Sequence, residues 1–307
     1  MHDARDQGPV TAIHHASSRT ASSVCVAFAT RGRPGVLRNV VERLALQSLR
    51  PGSVLVSCVS PDDVDPATAC VTRVITSAPG LTRQRNAILR ELPAGTEYLV
   101  FFDDDFVAHE DWLRRAKDLF ELNPDVVGLT GRVIVDGIHG PGVSFTEAVA
   151  AIQQAGDGEE GGPLVDYSPY GCNMAFRVSA LEGLSFDERL VLYGWQEDRD
   201  FGAQVARRGR VVKASGLLGV HMGVKGGRVS GRRLGYSQIA NPIHLLRKGT
   251  MSAGTLVDHI GRNVAKNVIR SVFAEPHIDR RGRLHGNLIA VGDLFRGRLA
   301  PERAESL

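Results

Sequence analysis

The chain has 307 residues, 43% hydrophobic and 23% charged, which is the composition of a folded globular protein with a sizeable core. It has no apolar run near the ~18 residues of a membrane span, and "MHDARDQGPVTAIHHASSRTASS" lacks the apolar centre of a secretory signal, so a cytoplasmic protein with a disordered tail over residues 1–22 is expected. The net charge of +3 is unevenly spread: residues 1–200 hold 18 Lys/Arg against 28 Asp/Glu and residues 201–307 hold 19 against 6, which points to an anionic partner for the second part, whether diphosphate, nucleic acid or membrane surface.

In chain order, "SSVCVAFATRGRP" reads as a buried strand ending in a turn. "GVLRNVVERLALQSLRP" follows with Val36, Leu37, Val40, Val41, Leu44 and Leu49 at helical spacing up to the stop at Pro51. "SVLVSCVS" and "VTRVITS" are further strands, "LTRQRNAILREL" is a helix, and "YLVFF" is a strand running into three carboxylates, Asp103 to Asp105. "DWLRRAKDLFELNP" continues as a helix, "VVGLTGRVIVDG" as a strand, and residues 153–163 as a polar Gly-rich loop. Alternation of strand and helix predicts an α/β protein with a mostly parallel sheet and helices on both faces. In such sheets ligands bind at the carboxyl ends of strands, where Thr30, Arg31, Asp62, Asp63 and the Asp103–Asp105 run fall. Cys25, Cys58, Cys70 and Cys172 lack CxxC spacing and read as buried reduced thiols.

Asp103 and Asp105 are two apart, so in an extended chain both point one way and can share a Mg²⁺ or Mn²⁺ ion, while Asp104 points to the other face. Such ions complete their shell with water and substrate phosphates, which makes a nucleotide diphosphate the natural third party. In "GWQEDRDFGAQ", Asp198 shares a helical face with Phe201, Gly202 and Val205, at a helix start where a carboxylate is stabilised and can accept a proton; capping is the plainer use of such a residue. "GVHMGVKGGRVSGRRLGY" combines His221, Lys225, Arg228, Arg232 and Arg233 with glycines and reads as a mobile diphosphate clamp. "TLVDHIGRNVAKNVIRSVF" sets Leu256, Ile260, Val264 and Val268 four apart beside a basic stripe of Arg262, Lys266 and Arg270; the helix either packs on the rest of the chain or lies on the inner face of an anionic membrane.

The ordered series "FATRGRP", "LQSLRP", "RQRNAIL", "YLVFFDDDF", "YGCNMAFR" and "GWQEDRDFGAQVARRG" resembles a family 2 glycosyltransferase of the GT-A fold over roughly residues 23–225, with residues 226–307 as a basic loop and helical C-terminal extension. The resemblance implies transfer, with inversion, of a sugar from a nucleoside-diphosphate sugar to a hydroxyl of a glycan, glycolipid or small molecule. It implies Asp103 and Asp105 as metal ligands, with His221 as a third in some such enzymes, and Asp198 as the base. Thr30, Arg31, Asp62 or Asp63, Arg85, Asn86, Asp104, Arg228 and Arg232 would serve the nucleotide, and Gly171, Asn173, Trp195 and Glu197 the sugar and acceptor pocket. The second strand departs from the family, reading "SCVSPDDV" in place of "VDNGSxD", which leaves the nucleotide base open. A retaining enzyme on the same fold and a non-catalytic anion- or nucleic-acid-binding protein are the alternatives. Against nucleic acid, no aromatic-rich motif accompanies the basic residues.

Overall fold

The computed structural model describes residues 22–157, 162–225, 230–272, 275 and 278–307. The first half is a wound α/β unit: β1 (Val24–Ala29), α1 (Pro34–Arg43), β2 (Ser53–Cys58), α2 (Pro66–Val71), β3 (Arg73–Thr76), α3 (Leu81–Arg90) and β4 (Tyr98–Asp103). There follow β5 (Phe106–Ala108), α4 (Trp112–Leu122), β6 (Val126–Asp136), α5 (Phe145–Ala155), β7 (Leu164–Asp166), β8 (Asn173–Arg177), α6 (Glu197–Val205) and β9 (Arg210–His221). Three helices close the chain: α7 (Gly231–Lys248), α8 (Ala253–Val272) and α9 (Arg280–Phe295).

The sheet runs β3-β2-β1-β4-β8-β6-β9-β5, with β7 on β9. It is parallel from β3 to β4 and between β6 and β9; β8 lies antiparallel between β4 and β6, and β5 antiparallel to β9. Both faces are covered, and period-2 alternation within β1 shows it. Val24, Val26 and Phe28 pack with Leu37 and Val40 of α1 and Trp112 and Phe120 of α4, whereas Cys25 and Ala27 pack with Ile88 of α3 and Phe201 of α6. Each fully buried side chain of this size contributes about 1.5–3 kcal/mol, so the strand cannot slip register without losing both faces.

Several expectations change. The first helix does not run to Pro51 but ends at Arg43, followed by a 3₁₀ turn at Leu44–Leu46. Tertiary bonding overrides the periodicity there: the buried Gln47 amide donates to the His109 carbonyl and accepts from the Leu113 N–H. The loop expected from 153 begins as the end of α5, opened by a Ser144–Glu147 capping box. Cys70 is exposed, whereas the other three thiols are buried as expected. Part of the basic Gly-rich segment is not a loop but the start of α7, while residues 226–229, Arg228 among them, lie outside the described residues. The glycines in α7 serve close packing: a Cβ at Gly235 would collide with the Arg283 carbonyl, and one at Gly286 of α9 with that of Arg232. On α8, Val268 is exposed and Asn267 is the buried residue.

Candidate active site

Strand register assembles the acidic corner. β4 ends at Asp103, and the antiparallel pairing of β5 with β9 sets Phe106 opposite His221, so the imidazole falls beside Asp105. Asp103, Asp105 and His221 each offer one ligand atom, all within 4.8 Å of one another. Two carboxylates and an imidazole fit a divalent cation of the Mg²⁺/Mn²⁺ class. His221 Nε2 lies 3.4 Å from Asp105 Oδ1, and Nδ1 is 3.0 Å from Asp136, which the β6–β9 register places opposite it; Asp136 also accepts from the Tyr170 hydroxyl at 2.9 Å. This outer layer fixes the ring so that Nε2 faces the two carboxylates. Burial opposes charge on His221, but hydrogen bonds to Asp105 and Asp136 prevail and push it up to about 10. Asp105 stays below the usual carboxylate range although burial opposes this, because His221, Arg33 and the Val224 N–H hold its charged form. Burial raises Asp103.

Asp104 lies in the turn between β4 and β5 and is not part of that ligand set. It is fully buried, accepts from the Thr30 hydroxyl at 2.7 Å and pairs with Arg33 at 2.6 Å; burial, opposed by Arg33, pushes it up to about 7. Arg33 also reaches Asp105 at 3.3 Å and so braces the corner from behind.

The pairing of β4 with β8 carries the next strand to the same place, since the Asp103 N–H donates to the Cys172 carbonyl. Gly171 then joins two functional groups: its N–H donates to Asp198 Oδ2 at 2.9 Å, and its carbonyl accepts from Arg85 Nη2 at 2.8 Å. Arg85, only 2% exposed, also bonds Asp103 Oδ1 at 3.2 Å and pairs closely with Glu197. Its guanidinium lies over Phe101 and Phe186, 5.5 and 5.6 Å from their ring centres. Burial pushes Glu197 up to about 8 against the pull of Arg85. One arginine therefore ties the acidic corner to the Glu197–Asp198 pair.

The loop before α6 is strained. Leu192 and Gln196 have φ of +62° and +69°, a conformation that costs non-glycine residues about 1–3 kcal/mol each. It is held by a 3.0 Å bond from the Leu81 N–H to the Leu192 carbonyl and a 2.6 Å bond between Gln196 and His259 of α8. Tyr193 projects from it, 47% exposed, towards the carboxylates of Asp103, Asp198 and Glu197. Trp195 is partly buried, and its carbonyl accepts from Asn241.

The other residues singled out from sequence lie as follows. Arg31, Asp62 and Arg232 are exposed. Asp63 accepts from the N–H groups of Gly32, Val59 and Ser60 and so shapes the loops after β1 and β2. Asn86 staples the segment at Phe186 and Glu188, and Asn173 bonds Thr130 and Gly131 inside the sheet. These amides face the scaffold and not the corner. Arg33, Asp136, Tyr170 and Tyr193 were missed; only "TRGRP" gave a signal, an arginine at a strand's carboxyl end. A surface groove of about 810 Å³ near Asn86, Glu182 and Gln204 is lined by none of Asp103, Asp105, Asp198 and His221.

No family model and no curated protein matches the sequence. Solved structures match the fold. Residues 1–349 of S. aureus TarS share 16% identity with a TM-score of 0.56, covering 92% of this chain and 82% of that one; the same protein in complex with UDP-GlcNAc gives 0.55, with 92% and 83% covered. The mannosyltransferase PcManGT from Pyrobaculum calidifontis, in complex with GDP-Man and Mn²⁺, shares 13% identity with a TM-score of 0.52, covering 89% and 80%. Against a longer TarS structure this chain spans only 39% of the partner's length. The chain has the GT-A fold, with the mixed α/β sheet expected from its sequence.

Proposed function

We propose that the protein is a metal-dependent, inverting glycosyltransferase that moves a sugar from a nucleoside-diphosphate sugar to a hydroxyl of a glycan, glycolipid or small-molecule acceptor. The observation that carries this reading is the joining, through Arg85 and Gly171, of a metal-ligand set to a carboxylate pair on a helix start. The TarS and PcManGT complexes, with UDP-GlcNAc and with GDP-Man and Mn²⁺, support a nucleotide-sugar donor here.

In this reading Asp103, Asp105 and His221 hold Mg²⁺ or Mn²⁺, which when bound neutralises charge on the donor's diphosphate. Asp198 receives the acceptor's proton. Its Oδ2 is oriented by the Gly171 N–H and its Oδ1 by the Arg199 N–H at 2.8 Å. The acceptor oxygen forms its bond to the anomeric carbon as the bond to the β-phosphate oxygen breaks, and the departing diphosphate keeps that electron pair. Arg31, Asp62, Arg228 and Arg232 serve the nucleotide, and Tyr193 and Trp195 border the sugar and acceptor. A peripheral seat on the inner face of a membrane belongs to the same proposal, on the strength of the basic C-terminal helix.

The test is a thermal-shift panel of UDP-, GDP-, dTDP- and CMP-sugars with and without Mn²⁺, followed by NMR of the product. One nucleotide class should raise the melting temperature only with metal, and the product should have the opposite anomeric configuration. A metal-independent shift or none across the panel would refute the donor reading, and retained configuration would refute inversion.

A further inference from the structure

We infer that the outer face of the α8–α9 hairpin is a docking surface for a bilayer carrying anionic lipid. The inference gives the proposed membrane seat a surface and a lipid chemistry, and it stands whether or not the transfer reaction is correct.

The two helices are antiparallel: Arg281 bonds the Ser271 carbonyl at 3.1 Å and Asn287 bonds Asn267 at 2.9 Å. Their inner sides are accounted for. Asn267 and Asn287 join Gln238 and Arg280 in a buried polar network, and Ile260, Val264 and Ala290 pack with α7 and the C-terminal tail. The outer sides carry apolar residues that no other described residue covers. Val257, Ile269 and Val272 of α8 are 67%, 63% and 71% exposed, and Phe295 of α9, in line with Leu288 and Val291, is 87% exposed. At 100° per residue, Val257, Gly261, Ala265, Val268 and Val272 occupy one arc of α8, and Arg262, Lys266 and Arg270 form the stripe beside it. On α9, Arg281 and Arg296 lie along one edge of the apolar arc.

Acidic residues offset only part of this border. Asp258 pairs with Arg262 and Glu275 with Arg270 at 3.6 Å, while Asp293 on α9 is buried against Arg298 and Arg303, and Lys266, Arg281 and Arg296 add to the positive charge of the hairpin. An exposed apolar stripe with a basic edge has the form of a helix lying at the headgroup boundary, where apolar residues enter the acyl layer and cations meet anionic headgroups. A second copy of the chain suits it less well, because two-fold pairing would bring two basic borders together. The face also has a place in the molecule. Through the Gln196–His259 bond, and through Ile260 and Val264 packed with Val191 and Leu192, α8 supports the strained loop that leads to Asp198.

The experiment is co-sedimentation of the full chain with vesicles of phosphatidylcholine alone or with 30% phosphatidylglycerol, at low and high salt. Binding to the anionic vesicles should be at least tenfold tighter than to neutral ones and should weaken with salt. Phe295→Ser with Val272→Ser, and separately Lys266→Glu with Arg270→Glu, should each weaken it about tenfold without lowering the melting temperature or altering any nucleotide-dependent shift. That last control separates this inference from the transfer reading. Equal binding to both vesicles, or undiminished binding by both double variants, would overturn it. So would a concentration-dependent dimer in sedimentation velocity that Phe295→Ser abolishes while vesicles fail to bind.

Discussion

Arg85→Ala removes the one group that holds Asp103, Glu197 and the Gly171 carbonyl together. Stripping one partner from a buried ion pair costs about 3–5 kcal/mol, because the remaining charge is desolvated and unpaired. Here the loss is partly relieved. Burial already raises Glu197 against the pull of Arg85, so without the guanidinium it rises further and is buried uncharged. Net destabilisation of about 3 kcal/mol is expected, which at ~2–4 °C per kcal/mol for chains of this size lowers the melting temperature by about 6–12 °C. Arg85→Lys separates packing from geometry. An ammonium keeps the charge but cannot serve three acceptors in one plane, so the protein should melt within a few degrees of wild type. Its kcat should nonetheless fall about 10²-fold, the usual result of a small displacement between reacting groups. Calorimetric melting, kcat and KM for the donor, and Mn²⁺ titration read the three effects. If Arg85→Ala melts within a degree of wild type and binds Mn²⁺ unchanged, Arg85 does not couple the two halves of the site.

The base and the metal ligands have their own tests. Asp198→Asn preserves shape and removes basicity, so donor binding should persist while turnover falls about 10²–10⁴-fold; turnover at the wild-type rate would remove Asp198 from the reaction. His221, at about 10 in the metal-free protein, is protonated at neutral pH, and a metal-bound imidazole must be neutral. Binding of Mn²⁺ should therefore release about one proton, with Kd falling about tenfold per pH unit below that value, which calorimetry in buffers of different ionisation enthalpy detects. The sign for stability is the reverse: the raised value stabilises the metal-free fold fully below about 6.5, and that contribution is lost as pH rises towards 10.

The sequence carried the acidic corner plainly because few strands end in three carboxylates, and Asp103 and Asp105 do share one ligand set without Asp104, although a turn at Asp104–Asp105 and not strand alternation brings them there. Asp63, Asn86 and Asn173 looked equally polar and equally well placed. Their side chains bond loops and strands of the scaffold, since short polar residues at strand ends and helix starts are used by the backbone as readily as by a ligand. Sequence distance hid the rest: Asp136 lies 85 residues from His221 and Arg85 lies 112 from Glu197, and only strand register and helix packing bring them together.

The C-terminal helices show why a pattern can be legible and its partner not. Leu256, Ile260 and Val264 at fourfold spacing gave an amphipathic helix, and the helix is there, but the buried line then shifts from Val268 to Asn267. That shift follows from what α8 packs against. The close approach of α7 and α9 at Gly235 and Gly286 leaves peptide and amide groups at the crossing, and Asn267 with Gln238 and Asn287 satisfies them, since a buried polar group without a partner costs more than the apolar burial it replaces. Val268, Ile269 and Val272 are turned outward as a result. The apolar outer face is thus tied to the polar inner one: restoring a uniformly apolar inner line would strand the amides of α7 and α9, so the chain keeps its polar crossing and presents the valines and isoleucine to whatever lies outside.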